Sequence, residues 1–585
     1  MERAEWDKLA VEDKERYQGE MEDYKPPSDA DDSNPKVLDL ANADDSVEVV
    51  EFTILAHGQS ATTGSAKTEP SIRIMPTSSG DTFDELLASV QIGNDVNGDA
   101  TGDTSGYSVW KQIGGDMDGE AADDRFGASV SMSKDGKTVA FGTYGNDGNG
   151  SRSGHVRVYR LDGNTWIQIG ADIDGEAAGD YSGEAVSMSA DGKTVAIGAH
   201  YNDGNGFSSG HVRVYGLDGN NTWNQIGPDI NGEAEGDTSG LAVSMSADGE
   251  AVAIGALGND GNRYYSGHVR VYRLVGNIWT QIGDDIDGEA AYDLSGRSVS
   301  MSADGKTVAI GARSNDGVNG HASGHVRVYG LDDNNIWIQI GGDIDGEGTC
   351  DQSGYSVSMS ENGKTVAIGA TLNNGINGSW SGHVRVYGLD GNNTWIQIGP
   401  DIDGEAVYDW SGYSVSLSSD GTTVGIGAPF NDEHGRNSGH VQVYGLDGNN
   451  TWNQIGPAID GEDVLNQSGG AVSMSGDGKT VAIGAHGNGG NGYASGHVRV
   501  YTLIELSSEP SLEPISSSEP SSEPSSEPSS QPSLEPASVP TSKKGKKVKN
   551  DKKEVKNDKK EYKLFKSQRE NIKSRSHRGQ PQTNH

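Results

Sequence analysis

The stretch WIQIGADIDGEAAGDYSGEAVSMSADGKTVAIGAHYNDGNGFSSGHVRVY, residues 166–215, decides the fold of this 585-residue chain. It is one copy of a unit of about 57 residues that recurs seven times between Trp110 and Tyr501. The histidine of the S-G-H-V motif marks the copies at His155, His211, His268, His325, His383, His440 and His497. A regular period of this length indicates a repeat architecture.

Each copy contains four short runs of alternating residues separated by turn signals. In the copy that starts at Ala185 they are residues 185–189, 194–199, 211–215 and 222–227. The Asp-Gly pairs at 191–192 and 218–219 predict tight hairpins, because glycine readily adopts positive φ. Four antiparallel strands in each of seven copies predict an all-β, seven-bladed β-propeller.

The ends of the series predict how the ring closes. The series opens with an outer strand at Trp110 and stops after the third strand at Tyr501. The last blade therefore takes its outer strand from the N-terminal end of the series, which removes both exposed sheet edges. The repeated tryptophans are expected to pack between blades, and so are the histidine and arginine of H-V-R-V-Y.

The regions outside the repeats differ in composition. We divide the chain into a helical segment at 1–27, an acidic linker at 28–89, a truncated repeat remnant at 90–109, the propeller at 110–503, a Ser/Glu/Pro-rich stalk at 504–542 and a basic tail at 543–585. The linker, the stalk and the tail are too polar to build a core, so the stalk and the tail are expected to be disordered and the linker largely so, with one short strand at Val47 to Leu55.

Charge and hydropathy exclude several classes of partner. The chain has a formal net charge of -41, although residues 543–585 hold 16 Lys/Arg against 5 Asp/Glu. The acidic body should therefore repel nucleic acid and anionic membranes and attract cations.

No apolar stretch is long enough to span a bilayer, and the first 30 residues lack the apolar centre of a signal peptide. The single cysteine, Cys350, excludes an intramolecular disulfide.

Two resemblances follow from the motifs. S-G-Y-S-V, T-V-A-I-G-A and G-H-V-R-V-Y resemble the FG-GAP repeat of integrin α-type propellers, in the variant whose units begin W-x-Q-I-G-x-D-I-D-G-E, over about 390 residues. This resemblance implies a propeller used for adhesion, scaffolding or ligand binding. Residues 1–27 resemble the C-terminal third of an HMG box, without the first helix or the apolar wedge that bends DNA.

Each copy also carries an acidic loop, D-x-D-G-E-x-x-x-D, with side chains of interest at positions 1, 3, 5 and 9. Alternating acids around a glycine suit a hard cation that takes about 6 to 8 oxygen ligands, and the integrin-type calcium loop has the same register. We expect calcium in some of these loops, with plain polar turns as the alternative, because here the loop precedes the inner strand. The last loop, with Ala458 and Asn466, is expected to hold none. The candidate ligands are Asp116, Asp118, Glu120, Asp124; Asp172, Asp174, Glu176, Asp180; Asp229, Asn231, Glu233, Asp237; Asp285, Asp287, Glu289, Asp293; Asp343, Asp345, Glu347, Asp351; and Asp401, Asp403, Glu405, Asp409.

The functional expectation is a non-catalytic adhesion or binding propeller that takes a protein or carbohydrate ligand on one face. No nucleophile, base and acid recur together and no residue breaks the repeat as an active site would, so we expect no enzyme and no catalytic residues. One alternative is an intracellular or nuclear protein that binds DNA through the HMG-like segment and the basic tail. Another is a propeller hydrolase or lyase, which predicts non-repeated polar residues in the central channel.

The localisation has two competing indications. The resemblance suggests the cell surface or extracellular space, whereas the lack of a signal peptide suggests the cell interior. The oligomeric state is open.

Overall fold

The computed structural model describes residues 51–53, 71–73 and 107–506. Contacts divide the chain into Met1–Pro510 and Ser511–His585, and the second unit lies wholly outside the described residues. The HMG-like segment at 1–27, almost all of the linker and the repeat remnant, the stalk beyond residue 506 and the basic tail lie outside them too. Within the linker, Glu51–Thr53 and Ser71–Arg73 form a two-stranded antiparallel sheet. No helix of the described part is long and apolar enough to cross a membrane.

Residues 107–506 form seven antiparallel sheets, which we number as blades 1 to 7 in the order of their inner strands. The predicted all-β, seven-bladed propeller is confirmed. In every blade the inner strand pairs with the second, the second with the third and the third with the outer strand. The inner strands are Ser129–Met132, Ala185–Met188, Ala242–Met245, Ser298–Met301, Ser353–Met359, Ser414–Leu417 and Ala471–Met474. The second strands are Thr138–Thr143, Thr194–Ala199, Ala251–Ala256, Thr307–Ala312, Thr365–Ala370, Thr423–Ala428 and Thr480–Ala485.

The third strands all begin at the repeated histidine, and the outer strands end at the glutamine of W-x-Q. The third strands are His155–Asp162, His211–Leu217, His268–Val275, His325–Leu331, His383–Leu389, His440–Leu446 and His497–Leu506. The outer strands are Thr165–Gln168, Trp223–Gln225, Ile278–Gln281, Trp337–Gln339, Trp395–Gln397, Trp452–Gln454 and, for blade 7, Tyr107–Gln112.

The sequence pattern did not predict a further two-residue strand at the start of each acidic loop. It pairs with the first two residues of the third strand, so that position 3 of the loop lies opposite the repeated histidine. These strands are Met117–Asp118, Ile173–Asp174, Ile230–Asn231, Ile286–Asp287, Ile344–Asp345, Ile402–Asp403 and Ile459–Asp460.

The core lies between consecutive blades. Val326 and Val328 of blade 4, for example, pack with Val366 and Ile368 of blade 5 and with the outer-strand Trp395. Removal of apolar side chains of this size from water contributes roughly 1.5–3 kcal/mol each. The seven repeated tryptophans join the blades, because each indole N–H donates a 2.8 Å hydrogen bond to an isoleucine carbonyl of the preceding blade.

The ring closes as predicted. Tyr107–Gln112 pairs in antiparallel register with the end of the third strand of blade 7, from Tyr107 opposite Leu506 to Gln112 opposite Tyr501. The indole of Trp110 donates to the carbonyl of Ile455 in blade 6. The N-terminal strand therefore completes blade 7 and links it to its neighbour.

Candidate functional site

The first acid of the acidic loop is held by the outer strand that precedes it. In six loops the amide of the W-x-Q glutamine donates a 2.7 Å hydrogen bond to the Oδ1 atom of this aspartate, as Gln168 does to Asp172. The third position is its close neighbour. Burial and then the charge of the first aspartate raise the pKa of Asp118, Asp174, Asp287, Asp345 and Asp403. Positions 1 and 3 are thus brought together and repel each other.

The ninth acid has a separate, structural role. Asp180 is buried and accepts hydrogen bonds from the backbone N–H of Ala177 and from the side-chain amide of Asn202 in the next blade. Asp293, Asp351 and Asp409 have equivalent asparagine partners. The side chain at position 9 therefore ties its own loop to the loop between the second and third strands of the following blade.

The glutamate at position 5 contacts the next blade. Glu176 lies 3.6 Å from the Arg213 guanidinium and 3.9 Å from His211 Nδ1, both on the third strand of blade 2. Arg157 and Arg499 pair with a glutamate from the preceding loop and an aspartate from the following one. Each contacted histidine is buried, and burial lowers the pKa of His155, His211 and their equivalents to about 4.

The acids that converge therefore come from successive loops. Ligand atoms of Glu176, His211 and Asp229 lie within 4.8 Å of one another, and the same grouping recurs at other junctions between blades. In most blades an arginine guanidinium lies beside the glutamate. Positions 1 and 3 of one loop adjoin, position 5 faces the following blade, and position 9 is used by the fold. Calcium binding by these loops stays a prediction.

A second set of polar residues lies at one mouth of the central channel. Two positions of each repeat lie around this mouth: the residue after the S-G (F-G in blade 1) that leads into the inner strand, and the residue that follows the second strand. The first set is Ala128, Glu184, Leu241, Arg297, Tyr355, Tyr413 and Gly470, and the second is Tyr144, His200, Leu257, Arg313, Thr371, Pro429 and His486. All of them except Thr371 and Pro429 line a cavity of about 570 Å³, which we call the channel pocket.

One side of the channel pocket is cationic and aromatic. The guanidinium carbons of Arg297 and Arg313 lie 4.7 and 5.4 Å from the ring centroid of Tyr355. The Tyr355 ring packs in turn on Tyr413, at 5.0 Å between centroids. Burial and then the charge of Arg297 lower the pKa of Arg313, and the Arg313 Nε atom is buried without a hydrogen-bond partner. Within the described residues, neither arginine forms an ion pair.

Blades 1, 2 and 7 supply the other side. His200 is 4% exposed, and its Nδ1 atom lies 3.5 Å from Glu184 Oε2. Burial raises the pKa of Glu184, whereas burial and then the charge of Arg297 lower that of His200 to about 4. Burial also lowers the pKa of His486 to about 4. The His486 ring fits against Gly470 only because glycine has no side chain: a Cβ at position 470 would lie 2.8 Å from His486 Nδ1. At neutral pH the pocket therefore combines two cations, neutral imidazoles and one carboxyl group.

The residues of the channel pocket break the repeat. They do not belong to the repeated motifs, because they occupy two positions whose residue changes around the ring, with only Tyr355 and Tyr413 at the first and His200 and His486 at the second alike. The signal was present: next to the strongly repeated S-G, the following residue changes from glutamate to leucine, arginine, tyrosine and glycine. The statement that no residue breaks the repeat as an active site would is therefore wrong.

Two segments, residues 117–159 and 402–444, match the FG-GAP repeat family. Together with the seven blades, these matches confirm the FG-GAP-type propeller inferred from the motifs. No curated protein matches the sequence. Nothing found supports the HMG-box resemblance of residues 1–27.

Similar solved structures include two lactonases. One is a protein described as a 6-phosphogluconolactonase from Bacteroides uniformis ATCC 8492, 14% identical, with a TM-score of 0.40, over 57% of this chain and 85% of that one. The other is a periplasmic gluconolactonase from Pseudomonas aeruginosa, 17% identical, with a TM-score of 0.40, over 58% and 86%. The expectation that the protein is not an enzyme is withdrawn, because the non-repeated polar residues of the channel pocket remove the observation on which it was based.

Proposed function

We propose that this FG-GAP-type β-propeller binds a small organic anion, such as an acidic sugar unit, in the channel pocket. The observation that carries the proposal is the pair of arginines, Arg297 and Arg313, that face the pocket and form no salt bridge among the described residues. The charge of Arg297 acts on Glu184 and on Arg313, and the opposition between the two guanidinium groups would be relieved by an anion. Arginine binds carboxylate and phosphate through paired hydrogen bonds.

The rest of the pocket supports a polar ring compound rather than a bare ion. Tyr355 and Tyr413 give the pocket an aromatic wall, and Glu184 and the neutral His200 can exchange hydrogen bonds with hydroxyl groups. A cavity of about 570 Å³ is within the range of small-molecule sites. The acidic surroundings exclude large polyanions and favour a ligand with one anionic group.

Isothermal titration calorimetry with glucuronate, glucose and inorganic phosphate tests this proposal. We expect glucuronate to bind more tightly than glucose, and R313Q and R297Q to weaken glucuronate binding by about tenfold or more, because each removes a charge-assisted hydrogen bond of about 1.5–3 kcal/mol. R273Q is the matched control, since Arg273 lies at the far end of its strand and donates to the carbonyl of Asp304. Equal affinities for glucuronate and glucose, or for wild type and R313Q, would contradict the proposal.

The same experiment distinguishes binding from turnover. Glu184 and His200 are close enough to act as an acid and base pair, as the hydrolase alternative requires. Ligand recovered after the titration is analysed by mass spectrometry, with E184Q as the comparison. Unchanged ligand indicates a binding site, and chemical change that depends on Glu184 indicates an enzyme.

A further inference from the structure

Blade 6 departs from the other blades at the junction where the repeated histidine meets the acidic loops. Its third strand reads H-V-Q-V-Y, so that Gln442 replaces the arginine that the other six blades have. The acidic loop that follows begins with Ala458 instead of aspartate. Two groups that surround the histidine elsewhere, a guanidinium and a carboxylate, are thus absent from these positions.

The loop between the second and third strands of blade 6 adds two ligand-type residues. His434 stands where the other six blades have an asparagine, whose amide donates to a glycine carbonyl of the following acidic loop. Glu433 precedes it, where blades 1, 2, 3 and 7 have glycine. In blade 1 a Cβ at that glycine would lie 3.7 Å from the Oδ1 atom of the third loop residue, Asp174. The equivalent neighbour of Glu433 is Asp460.

These changes assemble a mixed nitrogen and oxygen cluster. His434 Nδ1 lies 3.5 Å from Asp460 Oδ2, and His440 Nδ1 lies 3.8 Å from Glu405 Oε2. Two ligand atoms bound to one zinc ion at 2.0–2.1 Å in tetrahedral geometry lie roughly 3.3 Å apart. Each pair is therefore near the separation that a shared ion requires, and the two pairs adjoin because His440 lies opposite Asp460 in the strand pairing.

Two buried atoms of the cluster have no hydrogen-bond partner. His440 is 2% exposed, yet its Nδ1 atom makes no hydrogen bond, and the Oδ1 atom of Asp460 is in the same state. Buried polar atoms of this kind carry a free-energy penalty unless a ligand satisfies them.

We infer that His434, His440, Glu405 and Asp460 bind one divalent transition-metal ion, with zinc as the best match to two imidazoles and two carboxylates. The site shares Glu405 with one predicted calcium loop but differs from those loops in its ligands, because imidazole nitrogen is a poor ligand for calcium and the donors come from three different segments. Gln442 orients Glu405, since its amide donates a 2.7 Å hydrogen bond to Glu405 Oε1. His434 is about half exposed, which leaves a path for the ion to enter.

The test is zinc titration of the untagged full chain after chelator treatment, followed by calorimetry and by the melting temperature. H434N and Q442R each restore the residue that the other blades carry, so both variants are expected to fold. We expect each to weaken zinc binding at this site by at least about tenfold, since even groups that only support a metal ligand contribute that much. H321N removes an exposed histidine from blade 4 and should leave zinc binding unchanged.

The outcomes separate this inference from its rivals. Loss of one zinc equivalent in H434N and Q442R, with no competition by millimolar calcium, supports it. Equal zinc binding by the wild type, H434N and Q442R would overturn it, and so would zinc that calcium displaces. R313Q should bind zinc as the wild type does, so that failure of the anion proposal leaves this result unaffected.

Discussion

Acidification should destabilise the propeller through its repeated histidines. All seven are buried at the start of a third strand, and burial lowers the pKa of each from 6.5 to about 4. The unfolded chain therefore binds more protons than the folded chain between these values. Stability is complete above pH 6.5, falls as the pH falls, and stops falling near pH 4, where the folded histidines also become protonated.

The size of the effect follows from these values. At pH 5.5 a histidine with an unfolded pKa of 6.5 and a folded pKa of about 4 contributes about 1.4 kcal/mol less stability than at neutral pH. A folded pKa of 5 would change that figure little, because the unfolded pKa determines it in this range. Seven such groups amount to about 10 kcal/mol, which is comparable with the total stability of a typical domain. His200 and His486 act in the same direction.

Urea unfolding at constant ionic strength, followed by circular dichroism at pH 7.5, 6.5 and 5.5, measures this dependence. We expect the unfolding midpoint to fall steeply between pH 6.5 and 5.5. Carboxyl groups with raised pKa values, such as Asp174 and Asp345, stabilise the folded state on acidification and so oppose the effect of the histidines. The measured change of the midpoint with pH is the sum of the two contributions. H321N removes an exposed histidine and should show the same slope as the wild type. A midpoint that stays constant or rises on acidification to pH 5.5 would refute the reasoning.

Two further predictions concern ring closure and the acidic loops. Deletion of residues 1–112 removes the strand Tyr107–Gln112 and should lower the urea midpoint of unfolding, because blade 7 then exposes an unpaired edge. Deletion of residues 1–106 keeps the strand and should leave the midpoint unchanged. Equal midpoints for the two deletions would show that the ring does not depend on this strand. Millimolar calcium should raise the melting temperature by binding in the acidic loops, where the acids at positions 1 and 3 repel each other. If the melting temperature does not change up to about 10 mM calcium, the acidic loops are not calcium sites with the affinities of extracellular modules.

The fold could be predicted from the sequence because every level of the repeat agrees. Strand alternation, Asp-Gly turns and the even spacing of the histidines each indicate the same four-stranded blade. The permuted start at Trp110 even indicates how the ring closes. Within the blades, only the short strand at the head of each acidic loop was missed, since two residues carry too little pattern to be recognised.

The arrangement of the acids could not be predicted in the same way. The register of Asp172, Asp174, Glu176 and Asp180 suggests one converging set, but backbone N–H groups and Asn202 hold Asp180 in the turn. The convergence of Glu176 with His211 and Asp229 joins residues of different repeats. Neighbours of this kind depend on how blades pack against each other, which the order of residues within one unit does not reveal.

The two proposed sites share one physical logic. A group that recurs in all seven blades, such as the tryptophan N–H bonded to the preceding blade, serves a contact that every junction needs. A ligand on the channel axis meets all seven blades at once, so a specific pocket there requires different residues from different blades, as Arg313 of blade 4 and Glu184 of blade 2 provide. The proposed metal at one junction likewise needs a position without the repeated arginine, which Gln442 provides. In a repeat protein of this regularity, we therefore propose that departures from the repeat, rather than the abundant repeated acids, are where specific ligands bind.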